Sequence, residues 1–400
     1  MSIAFMGGRV VVGNGQVWEH ASVLIEGDRI LKVARKNFTP PKGCRRIPLE
    51  GGTLLPGFID AHVHVCLDAS PDPMTSFLKT PLVVTALKAA NFARDTLMAG
   101  VTSVRDMGAR DGIDFGLRQA IRSGLAPGPR MLVSGAPICM TGGHGWQIGC
   151  EADGPDGVRK AARAQIKAGA DIVKLMATGG VLTPAVEPGS EQLTEGEMRA
   201  GVEEAHKAGK RTATHAMGTR GILNALRAGI DSIEHGVFLD EESVALMQTR
   251  GVPLVPTLSA PIHIERQGVA AGIPAFAVEK ALKVQPHHLA SIRLAREAGV
   301  TIAMGTDAGT PFNRHGENLG ELKLLVELCG YSPLEAIEAG TRVSANVLGV
   351  EKDLGTVAEG KLADLVVVNG NPLDDIGLLL NRDNVHLVVQ GGNIVKDTLG

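Results

Sequence analysis

GFIDAHVHV, residues 57–65, is an apolar run that carries two histidines, His62 and His64. Read as a β-strand, residues two apart share a face, so both imidazoles project into one space at the carboxyl end of the strand. Two neutral imidazoles on one rigid strand make half of a binding site for a divalent metal such as zinc. The H-x-H pair is a short motif and acquires meaning only from its context. The rest of the chain has to supply further ligands at matching positions.

Outward from this strand one theme recurs, from about residue 57 to 349. A short strand rich in Val, Ile and Thr runs into a polar or Gly-rich loop, then an amphipathic helix, then glycine before the next strand. Strands are expected at 58–65, 102–107, 131–134, 172–176, 211–215, 232–235, 254–257 and 301–305. Helices are expected at 82–98, 114–123, 157–167, 194–208, 220–228, 240–248, 278–298 and 319–328. Several of these helices close on Ala-Gly, the left-handed glycine stop that follows a helix end. Eight strands alternating with eight helices predict an α/β fold, a closed (β/α)8 TIM barrel. The first strand is not followed by the Gly-rich phosphate turn of an open doubly wound sheet.

The two ends of the chain read differently. Residues 9–12 and 23–34 at the start, and 363–368, 385–390 and 393–395 at the end, are short β-type runs between Gly and Asn turn signals. They are expected to pair into one small β-sandwich domain of residues 1–56 with 350–400, leaving 57–349 as the barrel.

Hydrophobic residues make up 44% of the 400, enough for a sizeable core, and no run approaches the ~18 apolar residues of a membrane span. The first residues, MSIAFMGGRVVVGNG, lack a basic segment followed by an unbroken apolar stretch, so no signal peptide is expected. A net charge of −3 with both signs dispersed argues against nucleic acid or a membrane as the main partner and leaves a small molecule. The five cysteines, Cys44, Cys66, Cys139, Cys150 and Cys329, are scattered and form no C-x-x-C, which points to a reducing, cytoplasmic setting.

A barrel places its chemistry at the carboxyl ends of its strands. Those positions hold His62 and His64 on the first strand, Lys174 on the fourth, His215 on the fifth, His235 on the sixth and Asp307 after the eighth. Lys174 lies in the apolar run DIVKLMATGG, where a bare ammonium is costly unless it is paired or neutralised.

The set PGFIDAHVH, the lone fourth-strand lysine, THA, IEHG and GTDAG resembles the amidohydrolase superfamily over nearly the whole chain. Within it, TSVRDMG, MTGGHG, KLMATGG and the spacing of THAMG to IEHG resemble the branch of imidazolonepropionase-like proteins and metal-dependent prolidases and carboxypeptidases. The resemblance implies two divalent metal ions, zinc in the first instance. His62, His64 and Asp307 would hold one ion, His215 and His235 the other, and an N6-carboxylated Lys174 would bridge them. An anionic, bidentate carbamate suits two cations about 3.5–4 Å apart. The implied reaction is hydrolysis of an amide or peptide C–N bond in a dipeptide or N-acyl amino acid. Asp307 would pass a proton from the attacking water to the leaving nitrogen. His144, in MTGGHG, would hydrogen-bond the carbonyl oxygen as charge develops.

A substrate carboxylate calls for a nearby cation, and Arg105, Arg314 and His315 are candidates for it, with Trp146 and Gln147 as pocket walls. The Gly- and Pro-rich segment 179–191 is a candidate lid. Some prolidase-like members carry a tyrosine soon after the fifth-strand histidine, whereas this chain reads His215-Ala216-Met217, a departure that argues against proline-type specificity. The alternatives are a cyclic-amide hydrolase of the imidazolone type, a mononuclear-metal deaminase, and a non-catalytic scaffold on the same barrel. A homo-oligomer is expected, as is common for barrels of this kind.

Overall fold

The two ends of the chain meet in one sheet. The computed structural model, which describes residues 2–399, pairs Gly52–Pro56 antiparallel with Leu365–Asn369 and parallel with Ser2–Val11. Val17–Glu26 and Arg29–Ala34 extend the sheet on one side, Val385–Gln390 and Asn393–Asp397 on the other, and Arg45–Pro48 pairs with Ser2–Val11. The hairpin between Glu26 and Arg29 turns on Gly27-Asp28, with Gly27 at φ +60°, the left-handed conformation that a tight two-residue loop asks of its first position. Ile3, Phe5, Val23, Ile25, Leu54, Leu365 and Leu387 are buried together against this sheet. At about 1.5–3 kcal/mol for each fully buried side chain, this core is the main force joining the two chain ends.

The chain divides into two compact units. One comprises Met1–Asp60, Arg94–Ser103 and Gly316–Gly400; the other comprises Ala61–Ala93 and Val104–His315. In the middle of the chain the strands are short and parallel. Phe58–Val63, Val101–Asp106 and Arg130–Val133 form one sheet. Ile138–Cys139, Ile172–Met176, Arg211–Ala216, Ile233–His235 and Leu254–Val255 lie in order in another, with Cys150–Glu151 at its edge. Further parallel bridges run from Leu254 to Ile302 and from Val63 to Ala308. The Asp171 N–H donates to the Val133 carbonyl at 2.8 Å. Among the described helices, none is long and apolar enough to cross a membrane.

Most expected elements lie within a few residues of the observed ones, and the helix Leu82–Met98 has the expected bounds. The expected eighth strand, 301–305, is a correction. It is a segment that bridges only at Ile302, linked by two hydrogen bonds to Leu254 on one side and by one to Ala61 on the other. The reading also missed the helices Pro73–Lys79 and Ser259–Gln267. Both carry proline in their first turn, which reads as a loop signal but is compatible with a helix, because the first N–H groups have no intrahelical partner.

Candidate functional site

The strand ends of the second unit open on one cavity of about 760 Å³, counting its mouth. His62, His64, His144, Lys174, His215, His235 and Asp307 all line it. The ring centroids of His215 and His235 are 4.4 Å apart, those of His62 and His235 5.2 Å, and those of His144 and His215 4.3 Å. One ligand atom from each of His62, His235 and Asp307 lies within 4.8 Å of the others.

Each strand-end imidazole is pinned through one nitrogen. His62 donates its Nδ1–H to Glu234 Oε2 at 2.8 Å, and His64 donates its own to the Gly108 carbonyl at 3.0 Å. The Thr257 hydroxyl donates to the Pro256 carbonyl, so its oxygen accepts from His235 Nδ1 at 2.7 Å. His215 donates Nε2–H to the Gly179 carbonyl at 3.2 Å. The nitrogen left over keeps its lone pair, Nε2 on His62, His64 and His235 and Nδ1 on His215. His62 Nε2 and His64 Nε2 approach Asp307 Oδ1 at 3.4 and 3.3 Å. With charged rings these contacts are ion pairs to the carboxylate; with neutral rings the three atoms suit a cation held among them.

Lys174 Nζ is the second sign that the site suits divalent cations. It is buried and, among the described residues, has no hydrogen-bond partner. Burial pushes its pKa down to about 8, with the Glu234 carboxylate pulling the other way. An orphaned amine beside pinned imidazoles and a carboxylate fits a site for divalent cations, in which a carbamate on Lys174 would supply the anionic oxygens. Burial also holds His215 and His235 well below the usual histidine range. It takes His144 down to about 3, against the pull of Asp307. Burial alone would raise the Asp307 carboxyl, but the histidines His62 and His64 hold it well below its ordinary value.

The backbone at the site is bent out of regular strand geometry. His235, Thr257 and Asp307 have φ of +73°, +55° and +61°, a conformation that costs a non-glycine residue about 1–3 kcal/mol. The Asp307 turn is held by its N–H donating to the His62 carbonyl at 2.7 Å and by the Asn313 amide donating to the Thr306 carbonyl.

The substrate-facing candidates fare differently. Arg105 does not line the cavity. Its side chain is 2% exposed, and its guanidinium donates to the Ala61 carbonyl, Ser232 Oγ and Glu234 Oε1. It therefore buttresses Glu234, which in turn holds His62. Trp146 is over a third exposed and outside the lining, and Arg314 is exposed and outside it as well. His315 is buried away from the cavity, stacked on Phe92 at 4.8 Å with Nε2 donating to the Leu67 carbonyl. Gln147 is buried but is not a lining residue, whereas its neighbour Ile148 is.

Glu234, Thr257, Thr183 and His288 escaped the sequence reading. Thr183 Oγ1 lies 2.9 Å from His144 Nδ1, and His288 lines the cavity while donating to the His235 carbonyl. Glu234 adjoins His235, and strict strand alternation would send the two to opposite faces. The positive φ at His235 breaks that alternation. Glu234→Gln should strand the buried Arg105 charge, costing about 3–5 kcal/mol. The check is the thermal unfolding midpoint, expected several degrees lower; an unchanged midpoint would refute the buttress.

The sequence profile of the amidohydrolase family matches residues 53–395. An ochratoxinase of Aspergillus niger is 32% identical, over 97% of this chain and 85% of that protein. Among solved structures, a prolidase complexed with N-methylphosphonate-L-proline superposes with a TM-score of 0.92 at 35% identity, over 100% of both chains. A Xaa-Pro dipeptidase with bound methionine superposes with a TM-score of 0.90 at 34% identity, over 99% of this chain and 100% of that one.

Proposed function

The chain belongs to the amidohydrolase family, and from that premise we propose that it is a binuclear metal hydrolase cleaving an amide or peptide C–N bond in a small molecule. The convergence of four pinned imidazoles, Asp307 and the orphaned Lys174 amine on one cavity carries this reading. Prolidase, dipeptidase and ochratoxinase relatives of similar length support the bond type. The ring of parallel strands, joined by the Leu254–Ile302, Val63–Ala308 and Asp171–Val133 links, supports a closed (β/α)8 barrel at 57–349. The shared terminal sheet supports a sandwich domain from residues 1–56 and 350–400.

His62, His64 and Asp307 would hold one cation, His215 and His235 the other, with carboxylated Lys174 between them. Zinc is the ion best matched to nitrogen and oxygen donors of this kind. Bound there, the cations supply Lewis-acid polarisation of the scissile carbonyl and acidify the attacking water. The protein's own groups do the rest. The Asp307 carboxylate, held ionised by its histidine neighbours, takes the water proton at Oδ and returns it to the leaving nitrogen. His144 is neutral, because burial drives its pKa down to about 3. The Thr183 hydroxyl accepts from the Gly145 N–H and is free to donate to His144 Nδ1, leaving Nε2–H as donor to the carbonyl oxygen. Gly180 makes room for that ring, since a Cβ there would sit 2.3 Å from His144 Nε2.

Elemental analysis after zinc loading, run beside a screen of dipeptides and N-acyl amino acids, tests the reading. About two metal ions per chain with release of free amine is the expected result. One ion with ammonia release would instead identify a mononuclear deaminase, and no ion with no turnover a scaffold.

A further inference from the structure

Six apolar side chains of the cavity lining belong to or pack against one buried cluster. Val181 and Leu182 reach it from the loop after Ile172–Met176, Met217 from the segment after Arg211–Ala216, and Val237 from the segment after Ile233–His235. Ile264 and Val284 come from the helices Ser259–Gln267 and Ala275–Glu297. Val181, Met217, Val237, Ile264 and Val284 also belong to one buried hydrophobic cluster, against which Leu182 packs. The wall is therefore an extension of the core, stiff and dry, and not a chance patch of surface carbon.

Most of the polar lining lies elsewhere; His288 stands one helical turn from Val284, its Nε2 donating to the His235 carbonyl. Apart from Thr310 and His288, the polar groups of the lining are those of the proposed reaction centre, His62, His64, His144, Lys174, His215, His235 and Asp307. Lys280, on the same helix as Val284, is buried as well but does not line the cavity. Its ammonium donates to the Thr183 carbonyl at 2.7 Å and the Val186 carbonyl at 2.5 Å. It fastens the loop that carries Val181 and Leu182 and presents no charge to the substrate.

We propose that this wall is a specificity surface, and that the site takes amides bearing a bulky apolar side chain, with Val181, Leu182, Met217, Val237, Ile264 and Val284 receiving it. The assignment rests on the hydrolase reading above. A polar or charged side chain on this wall would lose its water and gain no hydrogen bond, whereas an apolar one is released from water onto a preformed surface. Met217, with the lining residues Met74, Met107 and Met176, adds thioethers that adjust to the shape of what is bound. The wall therefore selects for apolar character more strictly than for outline.

The test is a pair of substrates alike in shape, N-acetyl-L-leucine and N-acetyl-L-asparagine, with the zinc-loaded enzyme. The leucine compound should be preferred in kcat/KM by at least about tenfold, because a buried amide without partners is rejected to that degree. Met217→Ala should reduce the preference, with folding verified by the unfolding midpoint. Calorimetric titration of the wild-type protein with 4-methylpentanamide and its isostere succinamide gives a second readout that needs no turnover. Tighter binding of the former supports the wall. Hydrolysis of both acyl amino acids at equal efficiency overturns the wall and leaves the hydrolase reading standing. Selective binding with no hydrolysis of either does the reverse. Equal binding of the two amides overturns the proposal outright.

Discussion

Lys174→Ala is expected to hold about one divalent ion per chain in place of two and to lose about a thousandfold in kcat/KM, since metal polarisation of the reacting oxygens is worth several kcal/mol. The Lys174 side chain is 3% exposed, and its amine has no hydrogen-bond partner among the described residues. An ammonium so placed is destabilising, and a carbamate there converts the liability into two anionic oxygens between cations. Fold disruption is not the expected cause of the loss, because truncation removes an unsatisfied polar group and leaves the strand Ile172–Met176 paired with Arg211–Ala216 along its length. Millimolar formate or acetate should restore part of the second metal and part of the activity by replacing the missing carboxylate. Retention of two ions by the alanine variant would sink the carbamate assignment.

Asp307→Asn should lower kcat by about 10²–10⁴, the range lost when a positioned general base is removed. Asparagine matches aspartate in size and tolerates the positive φ of +61° found at this position, so the turn should survive. What it cannot do is accept the water proton. It also loses the negative charge that His62 Nε2 and His64 Nε2 approach at 3.4 and 3.3 Å. Affinity for the ion held with those two histidines should therefore weaken as well, visible as a higher zinc concentration needed for half-loading. A variant with normal kcat at saturating zinc would show that proton transfer runs through another group, and His144 or His288 would be examined next.

How much of this was legible beforehand depended on the range of the interaction. Helix Leu82–Met98 and the glycine stop at Gly169 follow from local rules, because 3.6-residue periodicity and the steric freedom of glycine are properties of a short segment. The six strand-end residues were legible for a related reason. His62, Lys174, His215 and His235 lie within recognisable apolar strands and His64 and Asp307 just beyond apolar runs, and the barrel rule converts that local position into a shared place. Arg105, Trp146, Arg314 and His315, chosen by position, lie outside the cavity lining, whereas His144 is part of it. Arg105 sits near a strand end as expected, but its guanidinium turns to Glu234, a partner 129 residues away.

GFIDAHVHV was enough to put two imidazoles on one face, since side-chain alternation is set by the backbone of the strand itself. The same short-range physics determined most of the other strand ends and the α/β class, while the family was carried by the resemblance of PGFIDAHVH, THA, IEHG and GTDAG. Only the tertiary structure decided which nitrogen of each imidazole is pinned, because Glu234, Gly108, Thr257 and Gly179 reach their histidines from other strands and loops. Only it decided that Arg105 turns to Glu234 outside the cavity lining, and that Val181, Met217, Val237, Ile264 and Val284 share the cavity with the histidines. Those outcomes rest on contacts between segments far apart in sequence, and no local pattern encodes which distant group will fill a given hydrogen bond or cover a given face.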